Sequence, residues 1–281
     1  MDERLWKIAG SIVDLSRRGI IMGVLNVTPD SFSDGGEFFS TEKAVKHGLQ
    51  MAADGAQIID VGGESTRPGA EPISVAEELR RVIPVIENLR SKSDIFISID
   101  TSESEVASAA LEAGASIVND VTGGRGDGEM MMLVAKRNAG FVIMHMQGEP
   151  RTMQVDPHYA DVVSEVTDFF RQQYARALDC GIDPMAIAFD PGIGFGKTLS
   201  HNLELLKNLE VLRLNDRPIV VGVSRKSFLG KLIGSPTVAD RLSPTVALTS
   251  LLRARGADVF RVHDVRENAV ALRMSETILE S

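Results

Sequence analysis

The sequence predicts a single α/β domain folded as a (β/α)8 barrel, the TIM-barrel architecture, with a short β-type extension at its N-terminus. Three observations carry that expectation. Eight short runs rich in Ile and Val recur along the chain, nearly continuous in apolar character, as strands buried on both faces of a parallel sheet are. Amphipathic stretches of helical spacing lie between them, and strict alternation of strand and helix implies right-handed βαβ units. The eight units occupy roughly 260 residues, the usual size of such a barrel. A doubly wound open sheet is the alternative, weakened by the missing dinucleotide fingerprint.

The elements follow in order. Residues 1–19, with WKIAGSIVDLS, read as a cover under the barrel floor, and 20–281 as the barrel. The run IIMGVLNV (20–27) precedes TEKAVKHGLQMAADG, with Ser40 as helix N-cap and Gly55 as stop. QIIDVGG (57–63) precedes SVAEELRRVIPVIENLR, where Ser74 opens an S-x-x-E box to Glu77. IFISID (95–100) leads into SESEVASAALEAGA, and SIVND (116–120) follows. FVIMHM (141–146) precedes HYADVVSEVTDFFRQQYARALDCG, read as the longest helix. AIAFD (186–190), PIVVGVS (218–224) and DVFRVH (258–263) complete the set, with no linker or composition shift to divide the chain.

Composition narrows the function classes. A chain of 281 residues, 43% hydrophobic and 25% charged, is ordinary for a globular protein. No apolar run approaches the ~20 residues that span a bilayer. The start, MDERLWKIAG, lacks the apolar core of a secretory signal. The single cysteine, Cys180, excludes an intrachain disulfide, points to the cytoplasm, and reads as a buried packing residue. A net charge of −9 disfavours nucleic acid as a partner. There is no G-x-S-x-G elbow, no H-E-x-x-H and no C-x-x-C, so serine hydrolysis and zinc chemistry gain no support. Met130 to Met132, Met144 and Met146 read as core and pocket lining.

The stretch FDPGIGFGKT (189–198) imitates a phosphate loop but misses both the P-loop and the dinucleotide templates by one residue. What it offers is Asp190 at the end of an apolar run, followed by a sharply bending backbone. In a barrel of this kind chemistry sits at the C-terminal strand ends. Here those ends carry Asn26, Asp60, Asp100, Asn119 with Asp120, Met144 with His145, Asp190, Ser224-Arg225-Lys226, and Arg261 with His263. Asp100, Asp190 and Asn119 offer acceptors in fixed directions, which suit the amino-imino edge of a flat heterocycle, and Lys226 adds a cationic donor. Arg261 and His263 alternate along the last run, share a face, and suit a phosphate or pyrophosphate; an ion pair with Asp264 or Glu267 is the structural alternative. Two long loops, 28–39 with Phe32, Phe38 and Phe39, and 62–72, have the character of lids.

In order along the chain, NVTPDSFSDGG, IIDVGGESTRPGA, IDT, DPGIGFGK, VGVSRKSFLG and RVHDV resemble the dihydropteroate synthase family of pterin-binding enzymes. The resemblance covers nearly the whole chain and implies one pterin-binding barrel over 1–281. It implies a folate-pathway transferase that joins 6-hydroxymethyl-7,8-dihydropterin diphosphate to 4-aminobenzoate with Mg2+, releasing pyrophosphate. By similarity Asp100, Asn119, Met144, Asp190, Phe195, Gly222 and Lys226 contact the pterin. Asn26, Thr66, Arg67, Arg261 and His263 hold the diphosphate, with Asn26 on the metal. Phe32, Thr66, Pro68, Phe195, Lys226 and Ser227 seat the aminobenzoate. The catalytic set is Asp100, Asp190, Lys226 and Arg67. The resemblance also implies sulfonamide inhibition and a homodimer, to which the apolar stretch 238–257 can contribute. Two other readings stay open: a methyltransferase domain binding methyltetrahydrofolate, against which Arg261, His263 and the STRPGA loop argue, and a non-catalytic pterin carrier.

Overall fold

The computed structural model describes residues 3–28, 36–64, 71–148 and 152–280. The chain opens with an antiparallel hairpin, β1 (Leu5–Ile8) and β2 (Ser11–Asp14). There follow β3 (Ile20–Asn26), α1 (Gly36–Ala53), β4 (Ile58–Gly62), α2 (Val75–Arg90), β5 (Phe96–Asp100), α3 (Ser104–Glu112), β6 (Ile117–Asp120) and α4 (Met130–Arg137). The second half holds β7 (Gly140–Met144), α5 (Val162–Asp179), β8 (Ile187–Asp190), α6 (Leu199–Lys207), β9 (Val220–Val221), α7 (Ser227–Ile233), α8 (Leu242–Ala254), β10 (Val259–Val262) and α9 (Val265–Leu279). Strands β3 to β10 form one parallel sheet in the order β8-β7-β6-β5-β4-β3-β10-β9. A parallel bridge between Phe189 and Ile219, with Phe189 N donating to Pro218 O at 2.9 Å, closes the ring. This is the expected (β/α)8 barrel, with α8 as an added helix between α7 and β10.

The two-residue period of a strand sorts the side chains. Ile21, Ile59, Ile97, Val118, Phe141, Ile187, Val221 and Phe260 point outward and pack with helix residues such as Val82, Ile86, Val106 and Phe170. Their neighbours Ile20, Met22, Ile58, Ile117, Val142, Ala188, Val220 and Val259 point inward and fill the lower barrel. The hairpin closes the floor: Trp6, Ile8 and Leu15 join that inner cluster, and Trp6 Nε1 donates to Ala186 O at 2.9 Å. Beside it Asp258, fully buried, collects Arg4 at 3.0 Å, Arg213 at 2.8 Å, Arg253 at 3.5 Å and the Ile219 amide at 2.9 Å. No helix among the described residues is long and apolar enough to cross a membrane.

Several local expectations need correction. Helix α1 begins at Gly36, so Ser40 lies inside it rather than at its N-cap, and Phe38 and Phe39 belong to a helix and not to the preceding loop. Capping preference marks a possible start, but the backbone continues wherever further turns gain partners. Helices α1 and α5 both run 18 residues, so α5 is not longer. Gly55 follows α1 at φ +110°, a conformation glycine tolerates, and Ser74 accepts from Glu77 N as expected. Cys180 is only half-buried, packed at the edge of the core as the C-cap of α5. Met130 and Met131 are core residues, whereas Met132 is 48% exposed because α4 turns it outward.

Candidate active site

The inward phase that fills the floor with apolar residues continues up each strand and changes character at the top. Asn26, Asp60, Asp100, Asn119, Met144, Asp190, Gly222, Arg261 and His263 all share the parity of the inward floor residues of their own strands. Register aligns Asp60 with Ser98, Asp100 with Asn119, and Met144 with Asp190. Polar groups therefore converge on the C-terminal mouth, where chemistry sits in such barrels.

Arg261 is the hub of that mouth. Its Nε donates to Asp60 Oδ2 at 2.6 Å and its second arm donates to Asp100 Oδ2 at 2.6 Å. Asn119 Nδ2 donates to the same Asp60 oxygen at 3.2 Å. Asp60 is fully buried, and its Oδ1 and the neighbouring Ser98 Oγ are buried without a hydrogen-bond partner. Burial raises Asp100 to about 7; Arg261 opposes that rise while Asp60, Glu78 and Asp120 add to it. Burial disfavours the Arg261 charge, but Asp60 and Asp100 outweigh it and hold the guanidinium firmly protonated. The alternative partner Asp264 is taken by Arg225, whose Nε donates to it at 3.0 Å.

The second half of the site is built on the turns after β8 and β9. Asp190 Oδ1 accepts from Gly192 N at 2.7 Å, and burial raises its carboxyl against the pull of Lys226. Lys226 donates to Ile193 O and stands 4.3 Å over the Phe195 ring, a cation–π contact. Burial lowers Lys226 to about 8, with Asp190 and Asp100 pulling it back up and Arg261 adding to the fall. Arg225, just before it, takes φ +58°; its carbonyl accepts from Arg241 at 2.9 Å, which pins the bend. Phe195 joins Met144, Met146, Val121 and Met153 in a small apolar cluster. A Cβ at Gly222 would stand 3.8 Å from Arg261 Cβ and 4.0 Å from Asp190 Oδ2, so this glycine lies between the two halves. Ser224 Oγ lies 3.0 Å from His263 Nδ1 and accepts from His263 N at 3.1 Å. Ser227 is exposed at the start of α7.

The glycines of the false phosphate loop have a packing reason. A Cβ at Gly192 would lie 1.9 Å from His145 O, and one at Gly196 would lie 2.4 Å from Gln147 O. Both have φ near +60°, so the loop after β8 can press against the loop after β7 only with glycine there.

Thus the structure brings together Asp100, Asn119, Met144, Asp190, Phe195, Gly222, Lys226, Arg261 and His263. Asn26 ends β3, partly buried, backbone-paired with Gly62. Phe32, Thr66, Arg67 and Pro68 lie outside the described residues. Sequence reasoning gave no role to Asp60, although its strand-end position and parity single it out. It also passed over Lys197 and Arg125, whose partners are set by tertiary packing; Arg125 donates to Met146 O at 2.7 Å and lies 4.9 Å over Phe169. Among the described residues no group of three His, Cys, Asp or Glu could hold a metal. A single amide oxygen at Asn26 nevertheless fits Mg2+, which commonly takes one or two protein oxygens beside water and substrate phosphates.

Comparison with known proteins agrees with this geometry. The family described as "Pterin binding enzyme" matches residues 22–263. The chain is similar to dihydropteroate synthase of Escherichia coli (strain K12), 46% identical over 274 residues, covering 97% of this chain and 95% of that one. Among solved structures it is similar to Xanthomonas albilineans dihydropteroate synthase with 4-aminobenzoic acid, at TM-score 0.93 and 42% identity, with 100% of both chains covered. The same organism's enzyme in complex with 7,8-dihydropteroate aligns at TM-score 0.88 and 40% identity, over 99% of each chain. A polar mouth of this composition on a barrel so similar throughout its length leaves one assignment: the chain belongs to the pterin-binding enzyme family, alongside the dihydropteroate synthases.

Proposed function

We infer that the chain is a transferase that condenses 6-hydroxymethyl-7,8-dihydropterin diphosphate with 4-aminobenzoate, giving 7,8-dihydropteroate and pyrophosphate in folate biosynthesis. The observation that carries this reading is the pairing, in one mouth, of acceptors for a flat heterocycle (Asp100, Asn119, Asp190) with a half-buried guanidinium, Arg261, suited to a polyanion.

The chemistry follows from where the charges stand. The bond between the pterin methylene carbon and the diphosphate oxygen breaks, and its electron pair leaves with pyrophosphate. The electron-rich ring spreads the resulting positive charge. Asp100 and Asp190, carboxylates held in fixed positions, stabilise that charge more than the neutral ground state, which lowers the barrier. Arg261, already bridging toward Asp100, and His263 above it receive the departing anion. The arylamine nitrogen then forms the new C–N bond and releases a proton to solvent. Phe195 beneath Lys226 supplies the flat wall against which the amine sits, with Ser227 at the rim and Phe32, Thr66 and Pro68 from the long loops. Arg67 adds a second guanidinium to the diphosphate. Mg2+, held by Asn26 with the diphosphate, would supply charge neutralisation of the leaving group. Sulfonamides, as arylamines of similar shape, compete for the aminobenzoate seat. A homodimer through the 238–257 region is the assembly we expect.

Incubating the protein with the pterin diphosphate, radiolabelled 4-aminobenzoate and Mg2+ tests the reading. Radiolabelled pteroate is the expected product. Transfer of a methyl group from methyltetrahydrofolate to a corrinoid, or pterin binding with no coupling, would replace this reading with the methyltransferase or carrier alternative.

A further inference from the structure

The segment DPGIGFGK contributes Asp190 and Phe195 to the site, yet its last residue has no part in the chemistry above. Lys197 is only 3% exposed and has no carboxylate within hydrogen-bonding distance. Its Nζ lies 3.0 Å from His145 Nδ1, 3.0 Å from Gly192 O, 3.0 Å from Phe195 O and 3.3 Å from His145 O. All four acceptors are uncharged. A buried amine costs free energy unless its protons find partners, and an apolar side chain would fill the same space more cheaply. The carbonyls and the imidazole are therefore a built seat for an amino group, one whose protonation burial holds well below the ordinary lysine range. His145 fits as a neutral partner: burial, with Lys197 and Arg125, holds its imidazole down to about 2, and in the tautomer protonated at Nε2 its Nδ1 accepts from Lys197.

The seat spans two loops, and what it ties down is the working surface. Gly192 O and Phe195 O bracket a tight turn closed by Phe195 N donating to Gly192 O at 3.0 Å. Within that turn Ile193 O accepts from Lys226, and a Cβ on Gly194 would stand 3.0 Å from Lys226 Cδ. One end of the turn orients Asp190 through Gly192 N at 2.7 Å; the other carries the Phe195 ring, 4.3 Å from Lys226 Nζ. The turn thus meets the carboxylate, the lysine and the aromatic wall together, and the Lys197 amine joins it to the start of the loop after β7, while Gln154 Nε2, farther along that loop, donates to Gly194 O at 2.6 Å.

We propose that Lys197 is a positioning residue whose amino group, seated among the carbonyls of His145, Gly192 and Phe195 and the His145 ring, fixes the height of Phe195 against Lys226 and so shapes the arylamine seat. The proposal rests on the coupling activity inferred above. Lys197→Met keeps the volume and removes the donors. It should lower kcat/KM for 4-aminobenzoate about tenfold to a hundredfold, the size of effect a misplaced contact surface produces. Lys197→Ala removes the atoms of n-propylamine, so n-propylammonium should restore its activity saturably, while n-propanol and sodium chloride at equal ionic strength should not. Hydrogen exchange of the 190–197 amides should quicken in Lys197→Met and slow again in Lys197→Ala when n-propylammonium is added, a readout that needs no turnover. A Lys197→Met enzyme within twofold of wild type overturns the proposal, as does a folded Lys197→Ala that responds equally to propanol, or unchanged exchange in both variants. Wild-type protein that couples nothing would instead remove the proposed activity and leave the exchange experiment to decide the role of Lys197.

Discussion

Arg261 Nε and Asp60 Oδ2 lie 2.6 Å apart at the centre of the barrel mouth, and Asn119 donates to that same oxygen at 3.2 Å. One fully buried carboxylate thereby orients both a guanidinium suited to diphosphate and an amide suited to the pterin. Arg261 shares its charge between Asp60 and Asp100, so neither carboxylate stands alone in a desolvated setting.

Removing the Asp60 charge should separate binding from packing. Asp60→Asn keeps the shape, and we expect kcat/KM for the pterin diphosphate to fall about tenfold to a hundredfold, with KM for aminobenzoate little changed. Asp60→Ala should in addition destabilise the fold by about 3–5 kcal/mol, because a buried ion pair loses one member. Steady-state kinetics and chemical denaturation read the two effects.

Asp100→Asn should reduce kcat by about 10²–10³, the loss typical of one oriented group that stabilises transition-state charge. Aminobenzoate affinity should hold. An unaltered kcat would remove the cation-stabilising role.

The pH dependence has a defined sign. Turnover needs Asp100 ionised and Lys226 protonated, so kcat/KM for the pterin diphosphate should rise on an acid limb near 7 and fall on an alkaline limb near 8. Lys226→Arg should move the alkaline limb far upward. Stability responds separately. Folded Asp100 keeps its proton up to about 7 whereas the unfolded chain releases it near 3.8, so Asp100 costs stability progressively as pH climbs between those values. Folded Lys226 resists protonation above about 8 whereas the unfolded residue titrates near 10.5; its cost is complete below 8 and disappears as pH rises to 10.5. Melting temperature against pH for wild type and Asp100→Asn checks the first window: the decline should be shallower in the variant.

Chelation of divalent metal should raise KM for the pterin diphosphate and leave aminobenzoate binding to the preformed protein unaffected, with Mg2+ restoring activity. Asn26→Ala should increase the Mg2+ concentration that gives half-maximal rate about tenfold, the lower end for loss of a group that supports a metal. A titration of rate against Mg2+ measures it.

The floor should matter for stability alone. Asp258→Ala removes the buried carboxylate that Arg4, Arg213 and Arg253 share, leaving Arg253 only Glu276 at 2.9 Å, and we expect a loss of about 3–5 kcal/mol. The folded fraction should turn over at the wild-type rate, measured after correcting for active protein.

By itself the sequence determined the barrel, its β-type floor cover, and most of the polar rim, because each depends on a local signal. Alternation of strand and helix sets the architecture, and the two-residue period carries Asp100, Asn119, Asp190, Arg261 and His263 inward whatever the rest of the chain does. Local signals failed where several backbones could serve: Ser40 looked like a helix start, yet α1 begins at Gly36. Only the tertiary structure decided the partners. Arg261 turned to Asp60 and Asp100 rather than to Asp264, which Arg225 occupies, and Lys197 found acceptors on a loop about fifty residues earlier in the chain. A charged group inside a closed barrel takes whichever acceptors the fold has already desolvated, and that choice is a property of converging strand ends, which no window along the sequence contains.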